Sequence, residues 1–423
     1  MNALERNLTE FQTSPGTRDI LHPDSSRWRM FVSRFAAAAE GAGFHQIIPP
    51  MFEDLGVFQR IGEVTDVVTK EMYDFVDKGG RHVALRPEHT ASVCRAFVQH
   101  RPNLPWLVWY AGPNFRYEKA QQGRYRQFDQ VGVEALGSND PLLDAEIIAL
   151  GWHFFAGLGL SGVKLMVNSL GDHGDRERYV EVLRDYLTKN SAVLSPESVE
   201  TLSRNPLRVL DSKREQDAAV IAAAPSIRAS LSSDAVAHFA TVLSGLDALG
   251  VPYEVNDRLV RGLDYYRRTT FEYVSTSLDS AQNAIGGGGR YDGLVADLGG
   301  PDTPGIGFAL GVDRTLLACD AEAVFAPADD AAQVFVVDTC GGLHATVVSA
   351  ELREQGIRVG RAYDNRSMKS QMKQADKSGA AVTVIIGDSE AADGTVVLRS
   401  MSEGSQRVVS RADLVVELKK ELK

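Results

Sequence analysis

Cysteine is scarce in this 423-residue sequence: only Cys94, Cys319 and Cys340 occur, far apart. Such spacing builds no disulfide framework and no cysteine metal cluster, and it suits a reducing cytoplasm. Nine histidines are present, but no HExxH motif, which argues against a catalytic zinc. No apolar run approaches the ~20 residues of a membrane-spanning helix. The opening stretch, MNALERNLTEFQTSPGTRD, has no apolar core of a secretory signal. Two common nucleotide-binding turns are also missing, since there is no Walker A loop and no GxGxxG after a strand. A basic excess is missing as well. The formal net charge of −11 argues against indiscriminate nucleic-acid binding.

What is present describes a globular chain of two or three domains, with 44% hydrophobic and 24% charged residues. To about residue 175, helices and strands mix. The periodicity predicts an amphipathic helix at 27–43 and a strand at 44–54 broken by Pro49-Pro50. A strand entering a helix at Pro87 is expected over 82–100. Segments 107–118 and 125–137 read as a long antiparallel hairpin around KAQQG, followed by a helix at 140–159 and a strand at 163–171. Residues 175–250 are helical in pattern and read as an insertion, after which strand-rich sequence resumes. Acidic 319–333 reads as a linker. Beyond it, strands at 334–338, 357–363, 381–387 and 395–401 alternate with helices, which predicts a small α/β domain with a mostly parallel sheet. Segment 353–377 carries seven basic residues against three acidic ones.

Two segments place cations among polar aromatics. LVRGLDYYRRTTFE (259–272) reads as strand and holds Arg261, Asp264, Tyr265 and Tyr266. Such groups inside a sheet need partners: an internal salt-bridge network supplies them in one reading, a ligand in the other. FRYEKAQQGRYRQFDQ (115–130) interleaves Arg116, Arg124 and Arg126 with Phe115, Tyr117, Tyr125 and Phe128. Arginines that hold phosphate and aromatics that stack on a base suit a nucleotide. GGGGRYDG (286–293) reads either as a strand held close to another backbone or a ligand, or as a flexible turn. IGFALGVDR (306–314) adds Arg314 as a further cation. Lys369, Lys373 and Lys377 recur every four residues on one helix face, either a solvated surface or one that meets RNA.

Together these segments resemble the bacterial-type histidyl-tRNA synthetases, which are class II aminoacyl-tRNA synthetases. SPGTRDILHP (14–23) is similar to the family's opening. QIIPPMFE (46–53) resembles class II motif 1, FRYEKAQQGRYRQFDQ motif 2 and GFALGVDR motif 3. LVRGLDYY and GGGGRYDGL resemble the two histidine-specific segments, NPLRVLDSK (205–213) a stretch of the family's insertion, and DNRSMKSQMKQADKSGA its anticodon-binding domain. The resemblance implies an α+β fold: an antiparallel-sheet catalytic domain at 1–325 with the helical insertion at about 175–250, then an α/β anticodon-binding domain at 334–423. It implies a cytoplasmic homodimer that joins L-histidine to ATP and passes it to tRNA(His), with Mg²⁺ bridging the phosphates.

Site residues follow by the same resemblance. Arg116 and Arg261 hold the α-phosphate and the histidine carboxylate, Arg261 being the catalytic arginine of the family. Arg124 and Arg314 take the terminal phosphates, Phe128 stacks on adenine and Glu118 lies at its amino edge. Glu88, Thr90 and Gln130 hold the α-ammonium. Glu134 and Tyr266, beside Tyr265, read the imidazole. Asp129 and Asp313 stand where the family often has His and Glu; strand alternation predicts that Asp129 points clear of the pocket. KAQQG differs from the family's usual Arg-Pro turn. Two other readings are a regulatory paralogue serving ATP phosphoribosyltransferase and a class II synthetase for another amino acid. The C-terminal domain with all four arginines speaks against the first, and the two histidine-specific segments speak against the second.

Overall fold

The computed structural model describes residues 11–60, 70–119, 121, 123–210, 212–259, 265–279, 283–327 and 330–422. Arg261 and Asp264 lie outside the described residues. The chain divides into two compact units, Met1–Pro327 and Ala328–Lys423. Among the described residues no helix is long and apolar enough to cross a membrane.

The first unit is built on an eight-stranded sheet. In spatial order its strands are His45–Gln46, Trp106–Phe115, Gln127–Leu136, Gly305–Gly311, Ala284–Arg290, Arg267–Ser275, Val163–Ser169 and Glu254–Val255. The six central strands pair antiparallel, while the two-residue edge strands pair parallel. The expected hairpin runs from Trp106 opposite Leu136 to Phe115 opposite Gln127. Alternation divides each strand between two faces. Val131, Val133, Trp109, Phe271 and Phe308 pack with Phe31 and Phe35 of the Asp24–Gly41 helix and Phe154 and Phe155 of the Pro141–Gly157 helix. That layer closes one face, and Phe128, Gln130 and Glu134 fall on the other, where the site lies.

Glycines let strands approach where side chains would collide. A Cβ on Gly288 would sit 2.0 Å from the Gly307 carbonyl oxygen, so GGGGRYDG is a strand pressed against another backbone. Arg290, which follows the glycines, is fully buried. It pairs with buried Asp144, donates from Nη1 to the Ser138 carbonyl at 3.0 Å and lies 3.3 Å from Asp292.

The insertion forms helices including His173–Lys189, Pro196–Arg204, Glu215–Ala222 and Ser233–Ala248. Buried Asp217 ties it together, accepting from the Ser195 amide and from the hydroxyls of Ser195, Ser198 and Ser212. Burial alone would raise its carboxyl, but these donors hold it down at about 2.

Several sequence expectations change. Tyr265 and Tyr266 precede their strand, which starts at Arg267. The 44–54 segment becomes two short strands in different sheets, Phe52–Asp54 joining a small sheet with His82–Leu85 and Asp74–Val76. The 319–333 stretch is no simple linker: Cys319 belongs to the Val312–Ala321 helix, and the Phe325 carbonyl accepts from Arg27 Nε at 2.7 Å. The second unit has a mixed five-stranded sheet, because Val382–Ile386, Thr395–Ser400 and Gln406–Ser410 pair antiparallel. The last of these strands was not among the sequence expectations.

Candidate active site

Two cavities share walls on the open face of the large sheet. The larger, of about 360 Å³, brings together Arg116, Glu118, Arg124, Phe128, Gln130 and Arg314, with Asp129, Glu272 and Asp313 also lining it. The smaller, of about 70 Å³, brings together Glu88, Thr90, Tyr265 and Tyr266 with His89 and Tyr110. Arg116, Gln130 and Ala309 line both.

The larger cavity sets three arginines among four carboxylates. Arg116 donates from Nε to the Pro87 carbonyl at 2.9 Å, and its guanidinium carbon lies 5.3 Å from the Phe128 ring centre. Arg124 pairs with Glu118 at 3.0 Å. Arg314, at the start of the Val312–Ala321 helix, donates to the Gly123 carbonyl at 3.1 Å and the Ala284 carbonyl at 3.0 Å. Burial, together with the positive fields of Arg124 and Arg116, pushes the Arg314 guanidinium below its ordinary value. A bound polyanion would favour the charged form of Arg314.

Asp129 corrects an expectation, since it lines this cavity together with Phe128 and Gln130. Burial, then the neighbouring Asp313 carboxylate, raises its carboxyl to about 6, against the pull of Arg86 and Arg18. Asp313 in turn pairs with Arg18 at 2.5 Å, and the Arg18 guanidinium lies over Tyr125.

The smaller cavity is buried and hydrogen-bonded. Glu88 accepts the amides of Thr90 and Ala91 at 2.6 and 2.8 Å, at the N-terminus of the Thr90–His100 helix, where amides lack intrahelical partners. Burial raises its carboxyl despite these donors. Glu134 is fully buried behind the cavity wall. It accepts from Thr90 Oγ1 at 2.7 Å, Tyr110 at 3.2 Å and Tyr291 at 2.6 Å. A Cβ on Gly307 would lie 1.8 Å from its Oε2, so only glycine leaves the carboxylate room there. Burial pushes Glu134 up to about 8 even with three hydroxyl donors. Gln130 accepts from Asn114 Nδ2 at 2.6 Å. The Tyr265 and Tyr266 rings lie 4.7 Å apart. Sequence reasoning missed Tyr110, Tyr291 and His89, although alternation along Trp106–Phe115 puts Tyr110 on the site face.

A buried polar pocket beside a cluster of arginines, carried on an antiparallel sheet, defines a class II aminoacyl-tRNA synthetase. Comparison narrows the class. The profile of the family described as histidyl-tRNA synthetase matches residues 16–315, and that of the anticodon binding domain matches 333–421. The histidine–tRNA ligase of Rhodococcus jostii is 50% identical over 96% of this chain and 97% of its own. That of Lactiplantibacillus plantarum is 46% identical, with the same coverage. Apo S. aureus histidyl-tRNA synthetase superposes with a TM-score of 0.81 at 35% identity, covering 97% of this chain and all of its own. A Bacillus halodurans structure titled ATP phosphoribosyltransferase regulatory subunit/histidyl-tRNA synthetase shares the fold, with a TM-score of 0.67 at 19% identity and coverage of 90% and 99%. The chain belongs to the histidyl-tRNA synthetase family.

Proposed function

We propose that this chain activates L-histidine with ATP and transfers it to the 3′ end of tRNA(His). In the first step the histidine carboxylate attacks the α-phosphorus, pyrophosphate leaves and histidyl-adenylate forms. Negative charge grows on the transferring and leaving groups, so fixed cations lower the barrier. Arg116, which lines both cavities, suits the junction between the two substrates. Arg124 and Arg314 take the terminal phosphates, Phe128 and Arg314 enclose the adenine, and Glu118 lies at its amino edge. Arg261 is assigned the catalytic arginine by its place in LVRGLDYY. Glu88, Thr90 and Gln130 receive the α-ammonium, while Glu134 and Tyr266 read the ring, with Tyr265 packed beside them.

Mg²⁺ fits a site of this kind when carried by the nucleotide. Among the described residues no three His, Cys, Asp or Glu side chains converge on a metal position, but Glu272 lines the arginine cavity. Mg²⁺ ordinarily takes one or two carboxylates besides phosphate and water. When bound it screens the phosphate charge. Assembly as a cytoplasmic homodimer is part of the same proposal. Exposed Ile48, Met51 and Phe52 follow the edge strand His45–Gln46 and support an apolar contact there. The second unit is assigned to the tRNA anticodon arm.

One observation carries the reading: arginines from separate segments line a single cavity that shares walls with a buried pocket of carboxylates and phenols. ATP–pyrophosphate exchange, run with each amino acid in turn, tests it. Exchange with histidine alone is expected. Exchange with a different amino acid contradicts the specificity, and none at all favours a regulatory protein.

A further inference from the structure

His89 lies between Glu88 and Thr90 in the chain and is 1% exposed. Its ring lies flat on Tyr110, with centroids 4.2 Å apart and planes 5° from parallel. The Tyr110 hydroxyl in turn reaches Glu134. Behind the stack is buried Arg86, whose Nε donates to the Pro113 carbonyl and whose Nη1 donates to the Pro49 and Pro50 carbonyls at 2.8, 2.8 and 3.2 Å. Gly112 leaves room for both neighbours: a Cβ there would meet Arg86 Nη2 at 2.8 Å and His89 Nε2 at 3.7 Å.

The nitrogen chemistry of His89 does not account for its place. Among the described residues its buried Nδ1 has no hydrogen-bond partner. Burial, then the charge of Arg86, holds the ring well below the usual histidine value, so it stays neutral at pH 7. What remains is the flat face. A parallel aromatic contact adds attraction beyond the area it buries, and here it falls on a phenol that reaches Glu134.

We propose that His89 is a positioning residue for amino acid selection: its ring clamps Tyr110, and Tyr110 thereby keeps Glu134 oriented toward the substrate ring. The clamp rests on the reading of Glu134 given above. His89→Gly removes the clamp. Histidine KM in the exchange reaction then rises about tenfold, the equivalent of one aromatic contact, while ATP KM stays within about twofold. His89→Phe keeps a flat ring without the unpartnered nitrogen and returns histidine KM most of the way. If His89 acts through the phenol, His89→Gly adds less than about twofold in a Tyr110→Phe background. Should His89→Gly fail to fold, His89→Leu, similar in bulk but not flat, serves in its place. Three results overturn the clamp: an unchanged histidine KM in His89→Gly, full additivity with Tyr110→Phe, or a His89→Phe protein as impaired as His89→Gly. Glu134→Gln separates the layers. If it leaves histidine KM unchanged, the reading of Glu134 itself fails. If it impairs histidine selectively while His89→Gly does not, only the clamp fails.

Discussion

The two adjoining cavities solve opposite electrostatic problems. In the smaller, each carboxylate already has its donors: Glu88 holds two amides and Glu134 three hydroxyls. In the larger, three arginines converge among carboxylates, and burial, then the field of Arg124, pushes Arg314 below its ordinary value. The carboxylates of the small pocket thus have donors before any ligand arrives, and on the proposed function a side chain that cannot pair with its remaining polar groups is rejected. On the same reading the arginines of the large one meet the nucleotide's phosphates and supply charge stabilisation. On the proposed function, specificity is assigned to the smaller cavity and charge stabilisation to the larger.

The largest effect is expected from the cations. Arg261→Ala should leave the fold intact and lower the exchange rate about 10²–10³-fold, the usual consequence of losing one donor to a developing charge. Near-normal exchange in a folded Arg261→Ala protein removes that assignment and leaves the comparison to the other three arginines.

The smaller cavity predicts a pH signature. Glu134 sits at about 8 in the empty pocket because of burial, so at pH 6–7 it holds a proton. A carboxylate is needed to accept a ring N–H. Histidine KM should therefore fall as pH rises toward 8 and level off above it, by up to about tenfold per pH unit from this one group. In folding the sign is opposite. A raised carboxyl favours the protonated folded form, so its contribution is full below the unfolded value, near 4.5, and is lost as pH rises through about 8. Glu134→Gln should flatten both dependences and weaken histidine binding roughly 10²-fold or more. An unchanged pH profile of histidine KM in this variant locates the titration elsewhere.

The smallest effect belongs to cations in a third setting. Lys369, Lys373 and Lys377 are exposed along the Met368–Lys377 helix. If they meet phosphate, their triple replacement by alanine should flatten the salt dependence of tRNA binding by about 0.7–0.9 log units per lost contact. Superimposable binding curves at every salt concentration leave the stripe as a solvated face only.

How far the molecule was legible depended on chain distance. The hairpin at Trp106–Leu136 followed from local alternation, whereas composition left the glycine segment open between strand and turn. Arg116, Arg124 and Arg314 drew notice by their type and their neighbours in the sequence, and the fold gathers them in one cavity. The wiring behind Glu134 was not, because Tyr291 lies 157 residues away and Thr90 44, and nothing local marks such partners. Asp129 illustrates the limit of alternation: the rule sorts side chains by face, but a strand at a cavity rim can present both faces to it. The docked Phe325 was hidden for the same reason as the wiring of Glu134, since its partner Arg27 lies 298 residues away.

The division between the cavities is tested most directly by titrating histidine and ATP separately, by calorimetry, into Glu134→Gln and Arg314→Ala. A crossed pattern is predicted: Glu134→Gln loses histidine affinity and keeps ATP, while Arg314→Ala loses ATP affinity and keeps histidine. Equal losses of both ligands in both variants would contradict it.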